Sequence, residues 1–165
     1  MGYNTRNNDR KEKEMNRYWH EMEEKYDIGE SPDGYQGVVC TVPIEKKELI
    51  LQLIGLRYPY ATRTSIQIGE VHIESEVGAY LNHSCDPNSE ILCIINSMDW
   101  SDNTQYVPEA ALHNTAVRKP VLVSTREISE GEEITFNYNT TESILAHPFK
   151  CNCCGKEIKG KNYEL

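Results

Sequence analysis

The sequence predicts a mostly-β domain with few helices. Short β-rich runs recur between positions 37 and 138. Turn signals rich in Gly, Asn, Asp and Pro stand between them, and a helical period of apolar residues occurs once, near the N-terminus. With 165 residues the chain is about the size of one domain and can bury a core without disulfides.

The elements are taken in chain order. Residues 1–8 show no pattern. Over residues 9–26, Met15, Tyr18, Trp19, Met22 and Tyr26 recur at helical spacing among charges, which predicts an amphipathic helix. Its stripe would pack on the domain or on a second copy of the chain, a possible homodimer. Residues 29–37 are turn-rich and separate this helix from the domain. Residues 37–42 and 48–54 are β-rich; 65–69 and 71–73 alternate like half-buried strands; 91–95 and 121–123 read as buried strands. A polar insertion spans 96–114, and 134–138 is the last strand, entered through the turn Ser129-Glu130-Gly131-Glu132. These runs divide the chain into a charged N-terminal extension (1–30), a domain (31–149) and a cysteine-bearing tail (150–165).

The net charge of −9 excludes a general nucleic-acid binder, because phosphate binding needs a basic face. Residues 31–149 hold 7 Lys+Arg against 16 Asp+Glu, whereas 150–165 hold 4 Lys against 2 Glu. The domain body is thus the acidic part. That charge either keeps the protein soluble or steers a basic partner toward it. No apolar run approaches the ~20 residues of a membrane-spanning helix, and the N-terminus lacks the apolar core of a signal peptide. These features fit an intracellular protein, cytoplasmic or nuclear. In that setting clustered cysteines read as metal ligands or thiols before disulfides. Three of the six cysteines, Cys151, Cys153 and Cys154, crowd the tail.

The densest polar string is Asn82-His83-Ser84-Cys85-Asp86-Pro87-Asn88, flanked by apolar residues. As a plain turn it would have Asn and Asp capping their own backbone, with Pro87 fixing one φ angle. The string also resembles the signature Asn-His-Ser-Cys-x-Pro-Asn of the SET-domain lysine methyltransferases. Two further blocks resemble that family in order and spacing. Glu130 through Tyr138 is similar to Gly-Glu-Glu-Leu-Thr-Phe-Asp-Tyr, with Ile134 and Asn137 as conservative changes, and Phe149-Lys150-Cys151-Asn152-Cys153-Cys154-Gly155 is similar to the cysteine-rich post-SET tail. The resemblance covers residues 31–165. It implies small curved β-sheets with a C-terminal pseudoknot, a threading that departs from the usual unknotted chain.

The resemblance also implies roles. Tyr138 is the expected catalytic residue, orienting the lysine amine and stabilising the transferring methyl group. Phe136 and Tyr80 are the expected walls of the lysine channel. Asn82 and His83 are the expected contacts to S-adenosylmethionine, the methyl donor. A glycine-containing stretch near the start of the family's domain adds a further contact, here Tyr35 and Gly37. The glycines Gly34 and Gly37 stand three apart rather than two, which places Tyr35 where the first glycine belongs. Cys85, Cys151, Cys153 and Cys154 match the family's Zn²⁺ ligands, except that Cys154 adjoins Cys153 instead of following several residues later. Either these four thiolates hold zinc, or the tail orders through Phe149 alone. His20, His72, His113 and His147 have no ligand partner at the right spacing and read as surface or packed histidines.

The implied activity is methylation of a lysine in a basic protein or peptide such as a histone tail. Two alternatives stay open: a non-catalytic SET-fold module that binds lysine-rich tails, and a methyltransferase for small amines whose substrate groove is narrowed by the 96–114 insertion.

Overall fold

The computed structural model describes residues 25–30, 34–95 and 118–161. Twelve strands form four small sheets, and no α-helix occurs among the described residues. The amphipathic helix expected over residues 9–26 and the insertion at 96–114 lie almost wholly outside them. At the one point of overlap the structure differs. Tyr26 opens strand β1 (Tyr26–Glu30), which pairs antiparallel with β2 (Gln36–Cys40) from Tyr26↔Cys40 to Glu30↔Gln36. The turn-rich stretch 29–37 is therefore narrower than its composition suggests, because Gly29 and Gly37 face each other inside the ladder.

The first sheet has the order β1-β2-β10-β7, where β10 is Glu133–Phe136 and β7 is Asn82–His83. β10 runs antiparallel to β2 but parallel to β7, with Thr135 opposite Asn82 and Phe136 opposite His83. A second sheet places β9 (Arg118–Ser124) between β3 (Leu49–Gln52) and β8 (Ser89–Ile95). A third places β6 (Val71–Ser75) between β4 (Gly55–Tyr58) and β5 (Ile66–Ile68). In the tail, β11 (Phe149–Lys150) and β12 (Glu157–Ile158) form a short hairpin.

The sheets share a core of Val38, Ile44, Ile50, Leu122, Ile128, Ile134 and Phe136, all essentially inaccessible. In Glu133–Phe136 the burial alternates, with Ile134 and Phe136 buried and their neighbours not, whereas β3 and β9 bury successive residues and so contribute to the core from both faces.

The loop between β7 and β8 is clamped to β10 by Asn88, which is buried. Its Nδ2 donates to Glu133 O (2.7 Å) and its Oδ1 accepts from Thr135 N (3.0 Å). Ser89 Oγ adds a bond to Thr135 O (2.6 Å). These bonds satisfy three backbone groups of β10. Substituting Asn88→Leu removes both partners and leaves two buried backbone groups unpaired, each costing about 1–3 kcal/mol. The expected loss is roughly 2–6 kcal/mol, measured by chemical denaturation. At this chain length it lowers Tm by about 4–24 °C.

Candidate active site

An open cleft of about 1030 Å³ runs between the first sheet, the third sheet and the tail. Asn82, His83, Phe136 and Tyr138 line it together with Tyr35, Phe149, Cys151 and Cys153. The parallel pairing of β7 with β10 produces this convergence, since it sets residues 82–83 beside 135–136.

Asn82 lies at one end. Its Nδ2 donates to Gln36 O (2.9 Å) and to Glu133 Oε1 (2.7 Å). Both partners are acceptors only, so the amide's orientation is determined, and its Oδ1 is left to accept from a ligand. Gly37 stands just behind this arrangement. A Cβ there would come within 2.4 Å of Glu133 Oε1 and 3.1 Å of Asn82 Nδ2. A side chain at this second glycine would therefore push the Glu133 carboxylate away from Asn82. Tyr35 is 62% exposed and lines the same end of the cleft.

His83 and Tyr138 form the centre. Tyr138 lies just past the end of β10, in a 3-10 turn (Tyr138–Thr140), rather than on the strand expected over 134–138. Its ring nevertheless packs on Phe136 (centroids 4.9 Å), His83 (5.3 Å) and Phe149 (5.9 Å). Its hydroxyl donates to Leu81 O (2.5 Å), and its backbone N donates to His83 Nδ1 (3.1 Å). The neutral imidazole therefore carries its proton on Nε2, which faces Cys85 Sγ at 3.4 Å. Burial lowers the His83 pKa, which favours this neutral form. Burial, then the charges of Glu142 and Glu133, push the Tyr138 phenol well above its ordinary value, so it stays protonated at neutral pH.

Tyr80, expected in the channel, is not among the residues lining the cleft. It is exposed on a 3-10 turn (Gly78–Tyr80), while its neighbours Ala79 and Leu81 line the wall. Phe149, the residue expected to help order the tail, also closes the aromatic cluster, with its ring 5.8 Å from His83. Glu133 and Glu142, given no role from the sequence, reach the cleft as well. Glu133 holds Asn82, and Glu142 lies buried in the wall. His147 is exposed at the rim, and His72 is packed in β6 with its pKa lowered by burial; His20 and His113 lie outside the described residues.

The four cysteines Cys85, Cys151, Cys153 and Cys154 converge, with their sulfurs all within 4.8 Å of one another. The sulfur pairs Cys85–Cys151, Cys85–Cys154 and Cys151–Cys153 are 3.6, 3.1 and 2.9 Å apart. A tetrahedral Zn²⁺ with bonds of about 2.3 Å sets its sulfurs roughly 3.8 Å apart, so a small expansion of this cluster accepts the ion. Adjacent Cys153 and Cys154 both point inward because the chain turns tightly here. Gly155 N donates to Cys151 O (2.8 Å), Cys151 N donates to Lys156 O (2.8 Å), and Gly155 takes φ +70°. None of the six cysteines forms a disulfide. Thiols this close, with no disulfide between them, are a donor set suited to zinc. Elemental analysis of the purified protein is expected to give one zinc per chain, falling well below one in Cys154→Ser. Chelation is expected to lower Tm, since metal binding contributes to folding.

Comparison with known proteins agrees with this geometry. The sequence model of the family described as "SET domain" matches residues 35–139. Histone-lysine N-methyltransferase 2B of Homo sapiens is 22% identical over 134 residues, 81% of this chain and 4% of that protein. Histone-lysine N-methyltransferase SUV39H2 of Xenopus tropicalis is 31% identical over 99 residues, 51% of this chain and 20% of that protein. The chain thus spans a fifth or less of the length of these two relatives. Among solved structures, KRYPTONITE in complex with mCHG DNA and SAH shares the fold at a TM-score of 0.56, with 17% identity, covering 79% of this chain and 28% of that one. With its matched segment running from the Tyr35 end of the cleft to the turn that carries Tyr138, this chain belongs to the SET domain family.

Proposed function

We propose that the protein is a protein lysine N-methyltransferase that uses S-adenosylmethionine as methyl donor, acting on a lysine of a basic protein or peptide such as a histone tail. The observation that carries this reading is the setting of Tyr138: a partly buried phenol, hydrogen-bonded to Leu81 O and walled by Phe136, His83 and Phe149, in one cleft with the preset amide of Asn82. The names of the relatives support it. So does a second KRYPTONITE structure, in complex with mCHH DNA, H3(1-15) peptide and SAH, which has 18% identity and a TM-score of 0.55.

When bound, the donor supplies an electrophilic methyl group on a sulfonium. The chain's own groups supply the rest. Asn82 Oδ1 is free to accept from the donor's ammonium, and Glu133 adds a negative charge beside it. Because the Tyr138 hydroxyl gives its proton to Leu81 O, its lone pairs face the cleft. There they hold an N–H of the incoming amine and align its lone pair with the methyl group. The rings around Tyr138 exclude water and disfavour the ammonium form of the lysine. Phe136, buried behind Tyr138, bounds the space left for methyl groups on the product amine. Zinc in the four-cysteine cluster would hold Phe149 against this centre through the β11–β12 hairpin. Residues 31–149 would form the catalytic domain and residues 150–165 its closing tail.

Tyr138→Phe keeps the packing and removes the hydroxyl. The expected loss in methyl transfer, followed by mass spectrometry on a panel of basic proteins, is about 10²-fold or more, with S-adenosylmethionine binding by calorimetry retained. Absence of cofactor binding to the parent chain would instead favour the non-catalytic module, and label confined to small amines would favour the small-amine enzyme. Gly37→Ala should displace Glu133 from Asn82 and weaken cofactor binding by about tenfold, with Tm little changed.

A further inference from the structure

One charged group in the cleft has no task in the methyl transfer itself. Glu142 is 3% exposed yet lines the same wall as Tyr138 and Phe136. It ends the turn that begins at Tyr138, its backbone N donating to Tyr138 O (2.8 Å). Its side chain then crosses to edge strand β5. Gln67 N donates to Glu142 Oε1 (2.7 Å), and Thr141 Oγ1 donates to the same oxygen (3.2 Å). Gln67 returns the contact: its Oε1 accepts from Ser143 N (2.7 Å), and its Nε2 donates to Ser143 Oγ (3.1 Å). Two segments 75 residues apart are thereby clasped reciprocally, and the turn bearing Tyr138 is tied to the third sheet.

A clasp of this shape needs an acceptor, not a charge; glutamine would serve. Burial works against the charge and raises the Glu142 carboxyl to about 7, although the Gln67 N–H, the Thr141 hydroxyl and the Lys161 charge favour ionisation. A charge kept in a cleft wall at a cost to stability is a mark of function. Its field acts on the Tyr138 hydroxyl, the point where the amine would sit. The other titratable or charged groups around it are His72, opposite Gln67 in the β5–β6 ladder, Glu133 on β10, and Arg63, His147 and Lys150 along the cleft.

We propose that Glu142 is a specificity-determining residue: its carboxylate draws the cationic lysine side chain to Tyr138, while the clasp with Gln67 fixes the turn that carries Tyr138. This rests on the lysine methyltransferase reading. Ionised Glu142 attracts the lysine while it is still an ammonium, before its proton is lost to solvent and the neutral amine reaches Tyr138; protonated Glu142 does not, so the KM for a lysine peptide falls as pH rises through about 7. The folding consequence has the opposite sense. The folded state holds a proton that the unfolded state has already lost, so this group's contribution to stability declines as pH rises from about 4.5 to about 7.

The test is steady-state methylation of a lysine peptide by the full chain between pH 6 and pH 9, with S-adenosylmethionine saturating. At pH 8, Glu142→Gln is expected to raise peptide KM about tenfold. The loss should fall on KM more than on kcat, the pH dependence of KM should flatten, and Tm should be no lower than the parent's. Glu142→Asp keeps the charge but shortens the clasp, and is expected to retain the pH-dependent KM while losing thermal stability. If Glu142→Gln matches the parent in KM across the pH range, or Glu142→Asp loses the pH dependence, the proposal is overturned while the methyltransferase reading stands. If the parent methylates no peptide at any pH, both are overturned.

Discussion

The parallel pairing of β7 with β10 is the constraint on which the rest of the site depends. Parallel neighbours cannot be joined by a tight turn, so the chain must leave residue 83, build β8 and β9, and return to lay residues 133–136 in the gap between β2 and β7. Closing so long a loop costs entropy that local hydrogen bonds do not offset. The offset comes from Asn88 and Ser89, which satisfy β10 on the side away from β2, and from burying Ile134 and Phe136 in the shared core. The pairing also explains why the chemistry-bearing string is so polar. Three of its seven side chains, those of Asn82, His83 and Asn88, bind backbone across the junction, and they stay polar because the junction would otherwise hold unpaired groups.

His83 joins the two chemistries of this junction. On one side it accepts from the backbone of Tyr138; on the other it faces the sulfur of Cys85. The tautomer that serves the first contact also directs a donor at the second, so one ring orientation supports both. Phe149 packs on the same ring from the tail, and the turn of Cys151 to Gly155 comes within a few residues of it. Ordering the tail thus brings an apolar edge to the aromatic cluster. Disordering it would open the cluster to water, which weakens the desolvation that a neutral amine requires.

Much of the fold was legible because alternation in the sequence reports one-sided burial. Residues 37–42, 65–69, 71–73, 91–95 and 121–123 all fall on or overlap observed strands. β4 was not legible. Gly55, Leu56 and Arg57 are exposed, so the strand exists through its backbone pairing with β6 and leaves no pattern in its side chains. β1 was hidden differently: Tyr26 continues a helical period, and only pairing with β2 decides its state. In the site, Asn82, His83, Phe136 and Tyr138 could be picked out because short strings carry them, and the structure brings them to one cleft. Tyr80 shared the neighbourhood of Asn82, but a 3-10 turn carries it away. Glu142 and Gln67 could not have been found, since their meaning lies in a contact between segments 75 residues apart. The adjacent Cys153 and Cys154 looked unfavourable as joint ligands until the left-handed Gly155 supplied the turn that lets both face inward.

The acidic balance of the domain divides into two parts. Glu45, Glu70, Glu76, Asp86, Glu127 and Glu130 are exposed and do not line the cleft, where solvent and salt screen them. They serve solubility and, at most, weak attraction of a basic partner over about a Debye length. Glu133 and Glu142 are the acids of the cleft wall among the described residues, and each is held by named hydrogen bonds to a neighbouring strand. A fixed charge in a partly desolvated wall acts on a cation far more strongly than a mobile surface charge does. In the proposed reaction, two placed carboxylates, one near each end of the reacting pair, would account for recognition of positive charge better than the net charge of −9.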